Sequence, residues 1–417
     1  MSEMFTPKTQ SKYSLNTLAR RVVMSRLKDL QEGQIKIIDN DKTLFFGNLT
    51  DDFPEPIELN ILNQEFYSCI AFGGAIGASE AYMYKYWASD KLVEIIRILI
   101  RNRSVLEKVE TGLALLKIPA RKLLHALNKN TRRGSRKNIA AHYDLSNDFY
   151  KLWLDSKMMY SSAYFDSPDV SLEEASTQKL DRICKKLNLK PGDSVIEIGT
   201  GWGGFALHAA KNYGCHVTTT TISNQQFKYA ENIIKKSGFE NKITLLNKDY
   251  RDLNGSFDKL VSIEMIEAVG HSFHASYFKK CSELLKPDGQ MLLQAITIAD
   301  QRYEDYKKSV DFINKYIFPG GCLTSITGMT ETITKHTDMR LFHLEDISPH
   351  YARTLNHWHD RFFENIDNVR KLGFSETFIR LWKYYLCYCE SAFTERATGV
   401  VQLLIMRPRS RRDKINY

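Results

Sequence analysis

No apolar run in this chain approaches the ~20 residues needed to cross a bilayer. The nearest, LVEIIRILIRN, is interrupted by Glu94, Arg97 and Arg101, so no membrane-spanning helix is expected. The opening MSEMFTPKTQSKYS lacks the apolar core of a secretory signal, and no export is expected. Cysteine is sparse: seven residues, an odd number, scattered and without a C-x-x-C pair. That argues against a disulfide framework and suits reduced thiols in a cytoplasm. No metal is expected.

What is present is ordinary for a globular protein. The chain has 417 residues, 43% hydrophobic and 26% charged, enough for two or three domains and a sizeable core. The net charge of +9 is not spread evenly. Arg101 to Lys137 holds eleven Lys or Arg against two Glu, a local balance of +9, and the remainder is near neutral. Such a patch suits phosphates, whether of nucleic acid or of an anionic membrane surface, and its plain alternative is a solvated helix face. Its leucines alternate with basic residues, as in a helix lying on a membrane or one packed between domains.

The pattern changes along the chain. A helical spacing of Leu15, Leu18, Val22, Val23, Leu27 and Leu30 is followed by short strand-like runs, QIKIID, TLFFG and IELNIL. A glycine-punctuated stretch, EFYSCIAFGGAIGASEAYMYKYWASD, reads as helical in pieces. DKLVEIIRILIRN reads as a helix capped by Asp90. These form an α+β N-terminal domain, 1–128, with a basic linker at 129–138. Beyond it, 139–417, strand candidates LKPGDSVIEIG, CHVTTTTIS, KITLLNKDY, FDKLVSIEM and GQMLLQAIT alternate with helical segments. The expected fold is α/β: a doubly wound, Rossmann-like sheet whose ligands bind at the carboxyl ends of the strands.

The first of those strands runs into VIEIGTGWGGF. Gly199, Gly201 and Gly204 have the G-x-G-x-x-G spacing that lets a backbone approach a nucleotide, although a tight ligand-free turn has the same look. A dinucleotide site would place an acid about 20 residues on. That region reads HVTTTTI, with none. The nearby acid is Glu197, ahead of the glycines, where a sulfonium tolerates a carboxylate better than a pyrophosphate does. The balance moves toward S-adenosylmethionine.

Several segments then carry a resemblance: HYDLSNDFYKLWLD, MMYSSAYF, VIEIGTGWGGF, TISNQQ, DYRDL, FDKLVSIEMIEAVG, DFINKYIFPGGCL, HYARTL and YYLCYCESAF, with GASEAYMYKYWASDKL in the N-terminal domain. The chain resembles the cyclopropane fatty acid synthase family of S-adenosylmethionine-dependent methyltransferases. The resemblance implies that Tyr160 and Ser161 enter the cofactor site, and that Glu197, Gly199, Thr200, Gly201, Trp202, Gly203 and Gly204 form its turn. It implies that Thr221, Ile222, Ser223 and Gln226 follow the second strand, Gln226 taking the ribose, and that Tyr250 and Arg251 lie on the adenine side. It further implies a bicarbonate ion as base, held by Ser162, Glu267, Gln294 and Tyr351, with Cys389 lining the site. The implied substrate is an unsaturated phospholipid acyl chain. Aromatic faces of Tyr164, Phe165, Tyr316, Phe318, Tyr351 and Tyr385 are candidates to stabilise a carbocation.

Two positions depart from the commoner family pattern. Ser162 stands where many members have Cys, and Gln294 where many have His, which removes a titratable group but keeps a donor. The product is expected to be a cyclopropane, with a methyl-branched or methylene chain as the alternative and a non-catalytic lipid-binding protein as a reading of another class. A nucleic-acid methyltransferase is disfavoured because no N-P-P-[YF]-type loop follows SIEM. The expected setting is the cytoplasmic face of an anionic membrane, as a peripheral enzyme that can form a homodimer.

Overall fold

The computed structural model describes residues 9–103, 145–415 and 417. Nearly all of the basic stretch and the whole 129–138 linker lie outside the described residues. Those described fall into two compact units. One takes 9–103, Val310–Phe312 and Gly373–Glu395; the other takes 145–309, Ile313–Leu372 and Arg396–Tyr417.

The first unit holds a four-stranded sheet of order β2-β1-β3-β4, with β1 Gly33–Asp39, β2 Lys42–Asn48, β3 Ile57–Ile61 and β4 Trp87–Ala88. In β1 every second residue is buried: Ile35 and Ile37 alternate with Gln34 and Lys36, and the buried Asp39 that follows accepts from Arg20 and Tyr67. The helix Leu92–Arg101 buries Leu92, Ile95, Ile96 and Ile98. Its N-cap is Lys91, with no side-chain cap bond, and not the expected Asp90. The long helix Glu376–Thr394 belongs to this unit, although its sequence position suggested the sheet domain. It is fixed there by Ser391 Oγ donating to the Val93 carbonyl at 3.0 Å. Just beyond it, Glu395 accepts from Arg97 and Arg101, each at 2.6 Å.

The second unit is built on a seven-stranded sheet of order β10-β11-β9-β8-β5-β6-β7. Its strands are β5 Ser194–Ile198, β6 His216–Thr220, β7 Ile243–Leu246, β8 Phe257–Ile263, β9 Leu285–Ile298, β10 Arg340–Asp346 and β11 Thr398–Met406. From β5 to β9 neighbours run parallel, as the alternation of strands and helices predicted. At the other edge β11 runs antiparallel to both β9 and β10. These last two strands were not foreseen. The chain order reverses between β5 and β8, and such a switch point is where a parallel sheet opens to a ligand.

Candidate active site

The glycine turn leaves the carboxyl end of β5 and enters the helix Gly204–Tyr213. Gly201 has φ +54°, and a Cβ built there meets no protein atom within 4 Å. Its neighbours are not so free: a Cβ on Gly199 would stand 3.1 Å from the Met265 side chain. The turn therefore has one open side, at Gly201, and packs its other against the segment that follows β8. Trp202 is pinned by its indole N–H donating to Asn147 at 2.7 Å and by its ring against Tyr150, 5.0 Å away. Thr200 bonds the Thr219 hydroxyl at 2.7 Å.

The other expected cofactor residues gather at the same end of the sheet. Ser223 caps the helix Asn224–Ser237 by accepting from the Gln226 N–H, and Thr221 donates to the Gln226 side-chain oxygen at 3.0 Å. Gln226 is thereby held with its amide NH2 as the remaining donor, which suits a ribose hydroxyl. Ile222 lies between them. Arg251 is clamped by Asp249 at 2.8 Å beside the Tyr250 ring. Ser161 accepts from the buried Lys179 amine at 2.8 Å, and Tyr160 packs between Trp153 and Trp358, both at 5.4 Å.

Glu197 lies within β5, ahead of the turn. It is 2% exposed and accepts from Thr219 on the adjacent strand at 2.5 Å. Burial pushes its pKa up to about 8, so the ligand-free protein favours its protonated form at neutral pH.

The larger correction concerns the base. Ser162 N–H, Gln294 and Tyr351 come together, but around Glu264, the residue directly after β8. The Ser162 amide donates to Glu264 Oε1 at 2.9 Å, Gln294 Nε2 to the same oxygen at 2.7 Å, and the Tyr351 hydroxyl to Oε2 at 2.7 Å. The Ser162 hydroxyl turns away, to the Ala163 carbonyl at 2.9 Å, so the amide makes this contact whatever the side chain. Gln294 has its orientation fixed from behind. Lys186 donates to Gln402 Oε1 at 2.8 Å, and Gln402 Nε2 donates to Gln294 Oε1 at 2.9 Å. An ammonium only donates, so every amide in this line must point its NH2 toward Glu264.

Glu267, expected to anchor a bicarbonate, instead accepts from the Ile296 N–H at 2.6 Å, and its Oε2 has no hydrogen-bond partner among the described residues. Burial and the neighbouring Glu264 raise its pKa to about 8. Glu264 is also raised by desolvation, but its three donors pull the other way. Of two nearby carboxyls the one with more donors holds the charge, so Glu264 is the anion and Glu267 the neutral acid. A separate bicarbonate does not fit these donors, because Ser162, Gln294 and Tyr351 are already committed to Glu264. Neither Glu264 nor Gln402 was singled out from the sequence.

Other expectations also shift. Cys389 lies in the first unit on the helix Glu376–Thr394, and burial drives its thiol pKa far up, which removes the thiolate a reactive cysteine needs. Tyr385 lies in that unit too. Tyr164 and Phe165 are in the second unit but already carry guanidinium groups, Arg182 at 4.4 Å and Arg353 at 4.0 Å. Tyr316 has the Lys315 amine at 4.8 Å. Tyr160, Phe318 and Tyr351 join a cluster with Trp153 and Trp358, whose rings lie 5.4 to 6.2 Å apart in successive contacts.

The raised carboxyls bear on stability. Glu197 and Glu267 have folded pKa values near 8 against an ordinary 4.5, so the folded state binds their protons more tightly. Their contribution is complete below the unfolded value and is lost as pH rises to 8. Glu197→Gln removes one of these groups. In denaturation of the ligand-free protein at pH 5.5 and 7.5, it is expected to lose less stability across the interval than wild type, by up to ~1.4 kcal/mol per pH unit. An unchanged pH slope would refute the assignment.

Comparison with known proteins identifies the relatives of the chain. The chain is similar to tuberculostearic acid methyltransferase UfaA1 of Mycobacterium tuberculosis, 36% identical over 80% of this chain and 79% of that protein. It is similar to cyclopropane-fatty-acyl-phospholipid synthase of Escherichia coli, 36% identical over 84% of this chain and 88% of that protein. Among solved structures, the cyclopropane synthase MmaA2 from Mycobacterium tuberculosis superposes with a TM-score of 0.61 at 31% identity, covering 65% of this chain and 98% of that one. Mycolic acid cyclopropane synthase CmaA1 complexed with SAH and CTAB gives 0.61 at 30%, with the same coverage. Residues 130–403 match the family described as mycolic acid cyclopropane synthetase. With that match over more than half its length, the chain belongs to this family of S-adenosylmethionine-dependent methyltransferases.

Proposed function

We propose that this chain transfers a methyl group from S-adenosylmethionine to the double bond of an unsaturated phospholipid acyl chain and closes a cyclopropane ring. The observation that carries the reading is the carboxylate of Glu264, held by three donors immediately after β8 and one residue from Met265, which packs on the glycine turn. When bound, the cofactor supplies an electrophilic methyl group. The open side of Gly201 and the Gln226 amide fit it, and Tyr160 and Ser161 stand at its entry. The alkene is a weak nucleophile, so orientation must supply much of the rate. The aromatic cluster of Tyr160, Phe318, Tyr351 and Trp358 offers faces that stabilise positive charge without reacting with it.

None of the helices among the described residues is long and apolar enough to cross a membrane. The basic stretch supports peripheral docking at the anionic cytoplasmic face, where a phospholipid chain is within reach. Incubation with S-adenosylmethionine and mixed unsaturated phospholipids is expected to give acyl chains heavier by CH2 and resistant to ozone. Heavier chains that ozone cleaves would mean a methylene or methyl-branched olefin. Unaltered chains would overturn the reading.

A further inference from the structure

The polar groups that should surround a free bicarbonate instead surround a side chain of the protein. Both oxygens of Glu264 are engaged, and the donors come from three separate parts of the chain: the segment between the helices Asn147–Lys151 and Leu172–Leu187, strand β9, and the helix Ser348–Glu364. We infer that the Glu264 carboxylate is itself the base of the reaction, in place of an external anion. The inference rests on the methyl-transfer reading above.

Three further observations support it. Glu264 has φ +49°, in the left-handed region, which strains a non-glycine residue. A glycine would sit there without that cost, so the side chain is retained against local strain. The directed line Lys186–Gln402–Gln294 presents an N–H to Glu264 and cannot be reversed by an amide flip, so the receiving group must be an acceptor. The buried Lys179 adds positive charge: Glu264 is the strongest of the carboxylates that hold up its pKa against burial. A neutral Gln294 also fits. A histidine beside a mobile bicarbonate can carry its proton away, whereas a fixed carboxylate needs only to be positioned.

The chemistry balances without another reactant. A carbon–carbon bond forms between one alkene carbon and the methyl carbon as the carbon–sulfur bond breaks. Sulfur takes that electron pair and becomes a neutral thioether, and positive charge appears on the other alkene carbon. A C–H bond of the delivered methyl group then breaks. Its electron pair closes the third side of the ring, and its proton passes to Glu264, which becomes a neutral carboxylic acid. One proton is released per turnover.

The test uses the full chain in buffer stripped of carbon dioxide, with thioether release as the rate and 13C-bicarbonate line width as a binding readout independent of activity. Wild type is expected to turn over at the same rate, within twofold, with and without added bicarbonate, and not to broaden the 13C signal. Glu264→Gly, which relieves the positive φ and opens room for a small anion, is expected to lose at least about 100-fold in rate. With bicarbonate it is expected to broaden the 13C signal and recover part of the rate; loss without recovery also supports the inference, since the base is gone. A wild type that stops on stripping and restarts with bicarbonate, or that binds the 13C label, would overturn it. So would a Glu264→Gly chain that keeps its rate without any anion. If wild type releases no thioether even with bicarbonate, the methyl-transfer reading fails and the inference falls with it.

Discussion

Glu264→Gln is expected to slow turnover by about 10³-fold while leaving cofactor affinity within twofold of wild type. Gln has nearly the same shape, so the strand end and its neighbours stay in place. What is lost is the ability to accept a proton, and a positioned base contributes about 10²–10⁴-fold to a rate. The amide also fits its surround poorly. One Gln oxygen can still accept from the Ser162 amide and Gln294, but the NH2 then faces the Tyr351 hydroxyl, which must turn to accept. The loss should appear in kcat, since the cofactor turn is not touched. Wild type should also lose rate as pH falls, along a limb set above the ordinary carboxylate value, because burial raises Glu264 and only its ionised form accepts. Steady-state kinetics and calorimetric cofactor titration read both parts. A loss smaller than tenfold would make Glu264 a structural group.

Gly201→Val is expected to weaken S-adenosylmethionine binding by at least about 100-fold in a protein that still folds. A Cβ at this position meets no protein atom within 4 Å, so the branched side chain does not disturb the core. It enters the one open side of the turn, where the cofactor would lie close to backbone. The φ of +54° adds strain of about 1–2 kcal/mol or somewhat more for a β-branched residue. That corresponds to a melting temperature lower by on the order of 5 °C. Calorimetry measures the affinity, and circular dichroism with a thermal melt measures the fold. Normal affinity in a folded variant would move the cofactor elsewhere.

The parts of this fold visible in the sequence are those that depend on local pattern. Apolar runs ending in turn residues marked β5 to β9, and the glycines marked the turn. The strand β11 escaped for two reasons. TGVVQLLIM in β11 is buried from its third residue onward, so it lacks the alternation that distinguishes a strand from a buried helix. Its partner β9 lies about a hundred residues earlier, and its antiparallel direction is a matter of topology.

The base was missed for a related reason. SIEMIEAVG holds two glutamates three residues apart, and the family pattern points to the second. Which of them meets Ser162, Gln294 and Tyr351 depends on the backbone turning to positive φ at Glu264, and nothing in the spacing announces that turn. Gln402 is 108 positions from the Gln294 it orients. Cys389 shows the converse. It was drawn toward the site by its motif, yet its helix packs with the first unit through contacts such as Ser391 to Val93, 298 residues apart.

The line of amides behind Glu264 has a consequence for proton traffic. Carboxamides neither gain nor give up protons at neutral pH, so Gln294 and Gln402 form an insulating wall on that side. A proton collected from the substrate cannot drain through them to Lys186. On the proposed reaction it must leave on another side, such as past the Tyr351 hydroxyl. Resetting the enzyme for its next cycle is then tied to the departure of product and the return of water, and a solvent deuterium effect on the steady-state rate, absent from the first turnover, would be its signature.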